Sequence, residues 1–394
     1  MIKFKITLFF VLLHSLLYAQ KLKFDSGDPS QKEYYQEINF EVVNDKMILS
    51  VEINNKEYSF LFDTGAPNVI SKRIYNEINS QKSRKLSVSD ANNKINEMEL
   101  VVVDSIKLGN VTFLNSVALV SDLENHSIMK CFKIDGLIGS NLFHNSVIKI
   151  SLKDKKIIIT NHIKKLNPKT KPSKLTLVGQ QKSPYVALNY AEKGKSKVIE
   201  YALIDTGMSG FFNISNRTYA ILSKENVFEE LSKSIGSGSI GIFGPADASE
   251  QTLMRIPTFN IQNTIFNNLI VNTTDDNNSR LGLELLEYGD IIIDFKHKKF
   301  YFEAEENIVL EKKPPVYQAT IIEDKYVIGF VWDEKFKDKF EYGDEILRIN
   351  SFHIPEMNVC ELINISFLLK NASSREIEVK SKKKETITKI TVTN

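Results

Sequence analysis

Two Asp-Thr-Gly motifs, Asp63-Thr64-Gly65 and Asp205-Thr206-Gly207, lie 142 positions apart in this chain of 394 residues. Each motif follows an apolar run, so each aspartate is predicted to stand at the turn where a strand ends. Two carboxyl groups about 3 Å apart share one proton, because like charges at that distance do not both ionise. The ionised group can accept a proton from water while the protonated group hydrogen-bonds a carbonyl oxygen. The motifs thus predict amide hydrolysis by Asp63 and Asp205, with neither a metal nor an organic cofactor.

The other residues of each motif are expected to support the two carboxyl groups. Gly65 and Gly207 let the backbone turn tightly beneath them. Thr64 and Thr206 carry hydroxyl groups short enough to hydrogen-bond across to the partner loop and hold the pair rigid. A single Asp-Thr-Gly is weak evidence because Asp and Gly are common in turns, but two such motifs at strand ends are strong evidence.

An internal repeat explains why the motif occurs twice. The stretch 139–157 recurs at 282–300 without a gap, at an offset of 143, and 109–115 resembles 262–268 at an offset of 153. With the Asp-Thr-Gly motifs, these ordered matches predict a duplicated lobe. In both copies, short runs rich in Val, Ile, Phe and Tyr are separated by Asn, Gly and Asp, which predicts mainly β-structure.

Proline-rich breaks and composition divide the chain. The stretch 167–174 is polar and proline-broken, and a second break falls at Pro314-Pro315. The predicted segments are a signal peptide at 1–19, an N-terminal segment at 20–37, a first lobe at 38–162, a linker at 163–174, a second lobe at 175–305 and a small domain at 315–394. Short helices are expected after each motif, at 72–80 and 217–224.

The residues around the first motif carry a family resemblance. Phe62–Ala66, with Val69-Ile70 and the later Gly136-Leu137-Ile138-Gly139, resembles the retropepsin and pepsin superfamily of aspartic peptidases, in its bacterial two-lobed form. The resemblance covers roughly residues 38–303. It implies a mainly β, bilobal fold, with a cleft between the lobes and flap hairpins that close over a peptide. It also implies that Asp63 and Asp205 are the catalytic dyad, that Thr64 and Thr206 form a cross-lobe grip, and that Gly65 and Gly207 are turn residues.

The second copy departs from the family pattern at two places. Met208 follows the glycine where the family often has Ser, Thr or Ala, and Ser279-Arg280-Leu281-Gly282 replaces the apolar segment that ends in Gly139. By position, the flaps are expected at 87–94 and 235–244, with Ser89, Asp90, Gly236 and Gly238 as candidate residues. The glycines at 236–241 also match a dinucleotide fingerprint, but that motif needs an apolar strand before it and a helix after it. A flap is therefore favoured.

The C-terminal residues carry a second resemblance. Gly343-Asp344-Glu345-Ile346-Leu347-Arg348-Ile349-Asn350 is similar to the core signature of a PDZ domain, over about residues 315–394. This implies a small α+β domain that adds a peptide strand to the edge of its sheet, and so recruits substrate or binds a peptide ligand. No Gly-Leu-Gly-Phe-like carboxylate loop stands near 315–318, so a role as a packing partner stays open.

Charge and the N-terminus bear on partners and location. The 51 basic and 49 acidic side chains nearly balance, which gives no electrostatic reason to expect nucleic acid. Lys3 and Lys5 precede an apolar run at 6–17, and Ala19 then offers a cleavage site, as in a secretory signal peptide. That run is shorter than the ~20 residues needed to span a bilayer. The protein is expected to be exported, periplasmic or secreted, with no integral membrane segment after signal cleavage.

The two cysteines, Cys131 and Cys360, are far apart in the chain. An exported protein could pair them, but the spacing does not show that their Cα atoms approach closely enough. Two separate buried thiols are the favoured expectation.

The leading functional hypothesis is an aspartic endopeptidase acting on proteins or peptides. The alternative is a catalytically silent peptide-binding protein that uses the same cleft and the PDZ-like domain; Met208 leaves room for it. A paired-carboxylate glycosidase is remote, because its acids flank a sugar ring and do not lie in equivalent turns. Ala66 and Met208 offer no hydroxyl group to the carboxylates, although Ser209 could substitute. The pair is therefore expected to work at mildly acidic to near-neutral pH.

Overall fold

The computed structural model describes residues 22–78, 80, 83–190, 198–369 and 374–393. The predicted signal peptide, residues 1–19, lies outside the described residues. Strands dominate the described part of the chain, which confirms the prediction of a mainly β fold. Within these ranges, no helix has the length and apolar character needed to cross a membrane.

The helices are short. The α-helices are α1 (Lys72–Ile78), α2 (Asn216–Leu222) and α3 (Val359–Leu368). Single 3-10 helices span Met129–Phe132, Ser140–Phe143, Ile163–Leu166, Ser223–Glu225, Leu283–Glu287, Glu334–Phe336 and Ile354–Glu356. Both α1 and α2 lie where the sequence predicts a helix after an Asp-Thr-Gly motif. Ser215 caps α2 because its side chain accepts a hydrogen bond from the Thr218 amide.

The strands fall into three groups along the chain. The first lobe contains β1 (Asp28–Pro29), β2 (Tyr35–Asn39), β3 (Glu41–Val43), β4 (Lys46–Ile53), β5 (Lys56–Asp63), β6 (Val69–Ser71), β7 (Ser83–Ser89), β8 (Ile95–Leu108), β9 (Val111–Ser121), β10 (Gly136–Gly139), β11 (Val147–Ser151) and β12 (Lys156–Thr160). The second lobe contains β13 (Ser173–Lys174), β14 (Thr176–Val178), β15 (Ser183–Tyr190), β16 (Val198–Ile204), β17 (Phe212–Ser215), β18 (Glu229–Gly236), β19 (Ile240–Gly241), β20 (Gly244–Pro245), β21 (Ser249–Ile261), β22 (Thr264–Thr274), β23 (Arg280–Leu281), β24 (Gly289–Asp294), β25 (Lys299–Ala304) and β26 (Asn307–Val309). The C-terminal domain contains β27 (Tyr317–Ile322), β28 (Lys325–Val331), β29 (Glu345–Ile349), β30 (Phe352–His353), β31 (Ser374–Lys380) and β32 (Ile387–Thr393).

The hairpin that leads to the first aspartate shows how the sequence sets local structure. Alternate residues of β4 from Met47 to Ile53 are buried, as expected for a strand with one face on the core. The turns on either side of β4 have positive φ at both central residues, 48° and 57° at Asn44-Asp45 and 51° and 61° at Asn54-Asn55. Asn and Asp tolerate this backbone conformation, so tight turns form and β5 runs back antiparallel to β4.

A sheet built from both lobes joins them. In the described residues it has six strands in the order β13-β25-β24-β11-β12-β2. Strands β11 and β24 pair antiparallel at its centre, with Lys149 opposite Ile292. These two positions are separated by the repeat offset of 143, so an approximate two-fold axis passes through this pair. The sheet also takes in β2, which begins before residue 38, and β13, which lies in the predicted linker 163–174.

Each lobe crosses its chain next to an aspartate. In the first lobe, β10 pairs parallel with β5 and antiparallel with β6; in the second, β23 pairs in the same way with β16 and β17. The glycines of β10 permit this crossing. A Cβ at Gly136 would lie 2.2 Å from the Phe60 ring, and one at Gly139 would lie 2.2 Å from the Ala66 carbonyl oxygen.

One hydrophobic core runs through both lobes, whereas the C-terminal domain has its own. In the shared core, the Phe143 ring lies between Phe62 and Phe295, with ring centroids 5.8 and 6.4 Å apart. Ile346 and Leu362 belong to the separate C-terminal core, where a sheet of order β27-β28-β29-β31-β32 packs with α3. That domain is a small α+β unit. Its resemblance to a PDZ domain stays a prediction.

The cysteines contradict the expectation of two separate thiols. Cys131 and Cys360 form a disulfide, with Cα atoms 5.1 Å apart and 229 positions between them in sequence. Cys131 lies in the 3-10 helix Met129–Phe132 of the first lobe and Cys360 in the first turn of α3. The expectation was wrong because sequence spacing carries no information on how the C-terminal domain docks against the lobes.

Replacing both cysteines with serine should lower the free energy of unfolding. Cross-linking such distant residues restricts the unfolded chain, and removing a native disulfide typically costs about 2–4 kcal/mol. Urea denaturation of the two proteins without reductant measures the difference. A reductant should destabilise the wild type and leave the Cys131→Ser/Cys360→Ser variant unchanged. Two titratable thiols in the unreduced, denatured wild type would contradict the bond.

Candidate active site

Asp63 ends β5 and is held by its own turn. The main-chain amides of Gly65 and Ala66 donate to Asp63 Oδ1 at 2.9 and 3.1 Å. In the second lobe, the amides of the two equivalent residues donate to Asp205 Oδ1 at 3.0 and 3.2 Å. The two motifs therefore fold into matching turns, and each turn orients one carboxyl oxygen.

The structure brings the two aspartates together between the lobes. Their carboxyl groups lie close enough for the charge of Asp205 to raise the pKa of Asp63. Each motif glycine lies against the carboxyl group of the other lobe: a Cβ on Gly65 would lie 2.6 Å from Asp205 Cγ, and one on Gly207 would lie 2.3 Å from Asp63 Oδ2. A side chain at either position would displace the opposite carboxyl group, so glycine is required by the approach of the two loops.

Thr64 and Thr206 cross-link the loops through buried, reciprocal hydrogen bonds. The Thr64 hydroxyl donates to the Ile204 carbonyl at 2.7 Å and accepts from the Thr206 amide at 3.1 Å. The Thr206 hydroxyl donates to the Phe62 carbonyl at 3.0 Å and accepts from the Thr64 amide at 3.0 Å. Both threonines are at most 2% exposed. These bonds satisfy main-chain groups that burial would otherwise leave unpaired.

The structure adds a cation to the pair of carboxyl groups. Arg280 Nη1 donates to Asp205 Oδ2 at 2.5 Å, and Nη2 of the same guanidinium pairs with Asp276. Burial lowers the pKa of Arg280, but the adjacent Asp205 and Asp276 carboxylates raise it above its usual value. Arg280 was noted in the sequence as a departure between the two copies, without a role. That difference from Leu137 at the equivalent position was the signal that could have revealed it.

A second cation, Lys46, was not singled out from the sequence. It begins β4 in the first lobe, and its Nζ reaches the second Asp-Thr-Gly loop, where it donates to the Gly207 carbonyl and, at 3.0 Å, to Ser209 Oγ. Burial lowers the pKa of Lys46 below its ordinary value, and the charges of Asp205 and Asp63 oppose this shift only in part. Nothing in the local sequence marks this lysine, because the contact depends on how the lobes meet.

These surroundings make the two carboxyl groups unequal. Burial and then the negative charge of Asp205 raise the pKa of Asp63 to about 7, against the opposing effect of the Gly65 amide and Arg280. Asp63 can therefore hold a proton at pH values where an ordinary aspartate is ionised.

The predicted flap segments form two hairpins whose tips meet. The first hairpin joins β7 to β8, with Ser89 at the end of β7 and Asp90 in the turn. The second joins β18 to β21 and contains the short β19–β20 ladder at its tip. Asp90 Oδ2 accepts from the Phe243 amide at 3.1 Å, and Asn92 Nδ2 donates to the Gly244 carbonyl at 3.0 Å.

The flap glycines lie against the C-terminal domain. A Cβ on Gly236 would lie 1.7 Å from the Gly329 carbonyl oxygen, and one on Gly238 would lie 2.4 Å from the side-chain nitrogen Nε2 of Gln318. The Ser237 amide donates to that Gly329 carbonyl at 3.3 Å. These glycines permit close packing of the second hairpin on β28, and the C-terminal domain supports that hairpin.

The first lobe matches a known protein family. Residues 49–142, which include the first Asp-Thr-Gly motif and β10, match the family model described as aspartyl protease. The first lobe is therefore similar to aspartyl proteases. No curated protein matches the chain.

The solved structures that match the chain include two seed globulins and a protease, each with a TM-score below 0.5. Conglutin gamma, a basic 7S globulin from lupine seeds, is 11% identical with a TM-score of 0.42, and the match covers 70% of this chain and 96% of that one. Basic 7S globulin from soybean is 10% identical with a TM-score of 0.41, covering 70% and 95%. A retropepsin-like aspartic protease from Rickettsia conorii is 17% identical with a TM-score of 0.24, covering 33% and 95%.

Replacing Thr64 with valine should destabilise the protein by about 1–3 kcal/mol, because the buried Thr206 amide and Ile204 carbonyl lose their partner. Thr206→Val should act similarly, and the double variant should lose less than the sum because the bonds form one network. Urea denaturation provides the measurement. Thr64→Ser, which keeps the hydroxyl group, is the matched control. Equal stability of the Val and Ser variants would show that the hydroxyl contacts contribute nothing.

Proposed function

We propose that this protein is an aspartic endopeptidase that hydrolyses peptide bonds in proteins or peptides through Asp63 and Asp205. One observation carries the proposal: two matching Asp-Thr-Gly turns from duplicated lobes lie together, with each motif glycine against the carboxyl group of the other lobe. The match of residues 49–142 to aspartyl proteases supports it for the first lobe. This arrangement supplies what the chemistry needs, since a pair sharing one proton contains both a base and an acid.

The proposed reaction uses water and the two carboxyl groups, and its proton transfers balance. The ionised carboxylate removes a proton from water, and the water oxygen bonds to the carbonyl carbon while the protonated aspartic acid gives its proton to the carbonyl oxygen. The group that took the water proton then gives it to the amide nitrogen, and the C–N bond breaks. The other group, which gave its proton to the carbonyl oxygen, recovers a proton from the gem-diol. The products are a carboxylic acid and an amine, and the pair returns to its starting state.

The alternative is a catalytically silent peptide-binding protein. Arg280 favours it, because the guanidinium occupies Asp205 Oδ2. In a symmetric pair that oxygen would be free to contact water or substrate. The hydrogen bonds between the hairpin tips favour it as well, because a substrate would have to separate Asn92 from Gly244. A protein of this kind would bind peptides without cleaving them.

Two further features belong to the proposal. The C-terminal domain acts as a PDZ-like module that recruits a protein substrate; its small α+β sheet and the tight turn at Gly343, with φ of 86°, support this. The protein is exported to an oxidising compartment, periplasmic or extracellular. The Cys131–Cys360 disulfide supports export, because such bonds are rare in reducing compartments.

Replacing either aspartate with asparagine should reduce kcat by about 10²–10⁴-fold, because each variant removes either the base or the acid. Cleavage of an unstructured protein, followed by mass spectrometry of the fragments, measures the loss. Asp104→Asn is the matched control, since Asp104 is exposed on β8. It should retain normal activity.

The outcomes separate the two candidate functions. A statine-type transition-state inhibitor should block cleavage by the endopeptidase. Near-normal activity of Asp63→Asn or Asp205→Asn would eliminate the proposed active site. A wild-type protein that binds peptides tightly and cleaves none of them would establish the silent alternative.

The pH profile should have its alkaline limb near neutrality. Catalysis requires one proton on the pair, and burial with the charge of Asp205 raises the pKa of Asp63 to about 7. Activity should therefore persist at mildly acidic pH and fall as the pH rises through about 7, when that proton is lost. The profile of kcat/KM reports the apparent pKa values of the pair. An optimum below about pH 4, where an ordinary aspartate titrates, would contradict this.

A further inference from the structure

We propose that Arg280 is a positioning residue that gives the two carboxyl groups different roles, holding Asp205 as the ionised base and leaving Asp63 as the proton donor. The inference rests on the proposed function, because it divides the work of that same pair. It goes further in naming the residue that makes a duplicated, two-fold related pair unequal.

Both carboxyl oxygens of Asp205 accept hydrogen bonds. Its Oδ1 accepts from the Gly207 and Met208 amides, and its Oδ2 accepts from Arg280 at 2.5 Å. Hydrogen bonds of this kind and an adjacent cation both favour the charged form of a carboxyl group. On Asp63, the turn amides occupy Oδ1, and no cation of the described residues lies within ion-pair distance. The proton of the pair therefore belongs on Asp63.

The asymmetry comes from a single position of the repeat. Arg280 begins β23, and the equivalent residue of β10 in the first lobe is Leu137, 143 positions earlier. Leucine cannot influence the charge of Asp63. Two copies of one structural unit thus have leucine at this position in one lobe and, in the other, an arginine whose guanidinium pairs with the aspartate.

A second carboxylate fixes the guanidinium in place. Asp276 is 6% exposed and pairs with Arg280 Nη2, while its Oδ1 accepts from the Asn278 amide at 2.8 Å. The planar fork of arginine suits contacts to two carboxylates at once, which lysine cannot reproduce. The first hairpin steadies this loop: Asn93 Nδ2 donates to the Asp275 carbonyl, and Asn277 Nδ2 donates to Asn93 Oδ1, each at 2.6 Å.

The surrounding charges balance when only Asp63 is protonated. Asp205 and Asp276 are then negative and Arg280 pairs with both, while Lys46, whose pKa burial lowers, adds a second positive charge when it is protonated. The other titratable or charged side chains that interact with this group are Asp45, Tyr185 and Arg217, and the charges of Asp45 and Arg217 are opposite. Ionising Asp63 as well would leave a net negative charge in a buried site, which is unfavourable.

The arrangement divides the reaction between the two residues. Arg280 occupies Asp205 Oδ2, so the carboxyl oxygen available to give a proton to a substrate carbonyl is Asp63 Oδ2. The water proton passes to Asp205 as the water oxygen bonds to the carbonyl carbon, and the Asp63 proton passes to the carbonyl oxygen. Arg280 touches neither water nor substrate in this scheme. It acts through Asp205.

The test replaces Arg280 and follows the titration of the pair directly. Carbonyl-region ¹³C NMR of protein labelled at aspartate Cγ, with signals assigned from Asp63→Asn and Asp205→Asn, gives the apparent pKa values of the pair without requiring activity. Arg280→Leu introduces the residue of the first lobe, Arg280→Gln keeps a polar side chain without the charge, and Arg280→Lys keeps the charge. The neutral variants should move both titration steps upward by about 1–3 pH units. Arg280→Lys should lie between them and the wild type.

Kinetics provide the second readout. Both limbs of the kcat/KM profile should move upward with the NMR titration in the neutral variants, and Arg280→Lys should partly restore the wild-type profile. A merely structural arginine would instead lower kcat by the same factor at every pH and leave the limbs in place. Circular dichroism identifies any variant that fails to fold, and Arg280→Gln decides the matter if Arg280→Leu does not fold.

The results distinguish this inference from the proposed function. Unchanged titration of the pair in a folded neutral variant would overturn the role of Arg280, even with full peptidase activity in the wild type. Upward shifts in the neutral variants, together with a wild-type protein that cleaves no substrate, would retain the electrostatic role and refute the peptidase.

Discussion

The reciprocal hydrogen bonds between Thr64 and Thr206 are the constraint on which the rest of the site depends. Two carboxyl groups repel each other when ionised, and they remain together only if their loops are tied independently of them. The buried threonine hydroxyls provide that tie through the Ile204 and Phe62 carbonyls. The glycines beside them avoid a Cβ that would collide with the carboxyl group of the opposite loop. The shared core and the six-stranded sheet then hold each loop against its own lobe.

The two-fold arrangement is structural, whereas the charge distribution is not symmetric. Lys149 and Ile292 mark the axis in the joining sheet, and the paired turns repeat the same main-chain hydrogen bonds. The second lobe has Arg280 beside its aspartate, whereas the first lobe has Leu137 at the equivalent position. A duplicated unit can acquire such a difference because the pairing of β23 with β16 and β17 uses backbone groups, which do not depend on the side chain at position 280. Unequal carboxyl groups are what an acid–base pair requires.

The C-terminal domain is attached to both lobes by different means. A disulfide joins α3 to the first lobe, and the stacked rings of Phe330 and Trp332 pack against Leu253 of the second. Gly236 of the second hairpin lies directly on Gly329. A domain held in this way restricts the hairpin on which it packs. The position of the second hairpin therefore depends on how the C-terminal domain docks.

The sequence by itself determined the mainly β fold, the duplication and the two turns at which Asp63 and Asp205 stand. These features depend on local patterns: apolar alternation, Asn and Gly turns, and a motif whose residue types follow from the backbone conformation they adopt. The tertiary structure alone decided the Cys131–Cys360 bond and the placement of Lys46 and Arg280 around the carboxyl groups. Each of those contacts joins residues that are distant in the chain. Their distance and direction depend on how whole lobes and domains dock, and the local sequence does not specify that docking.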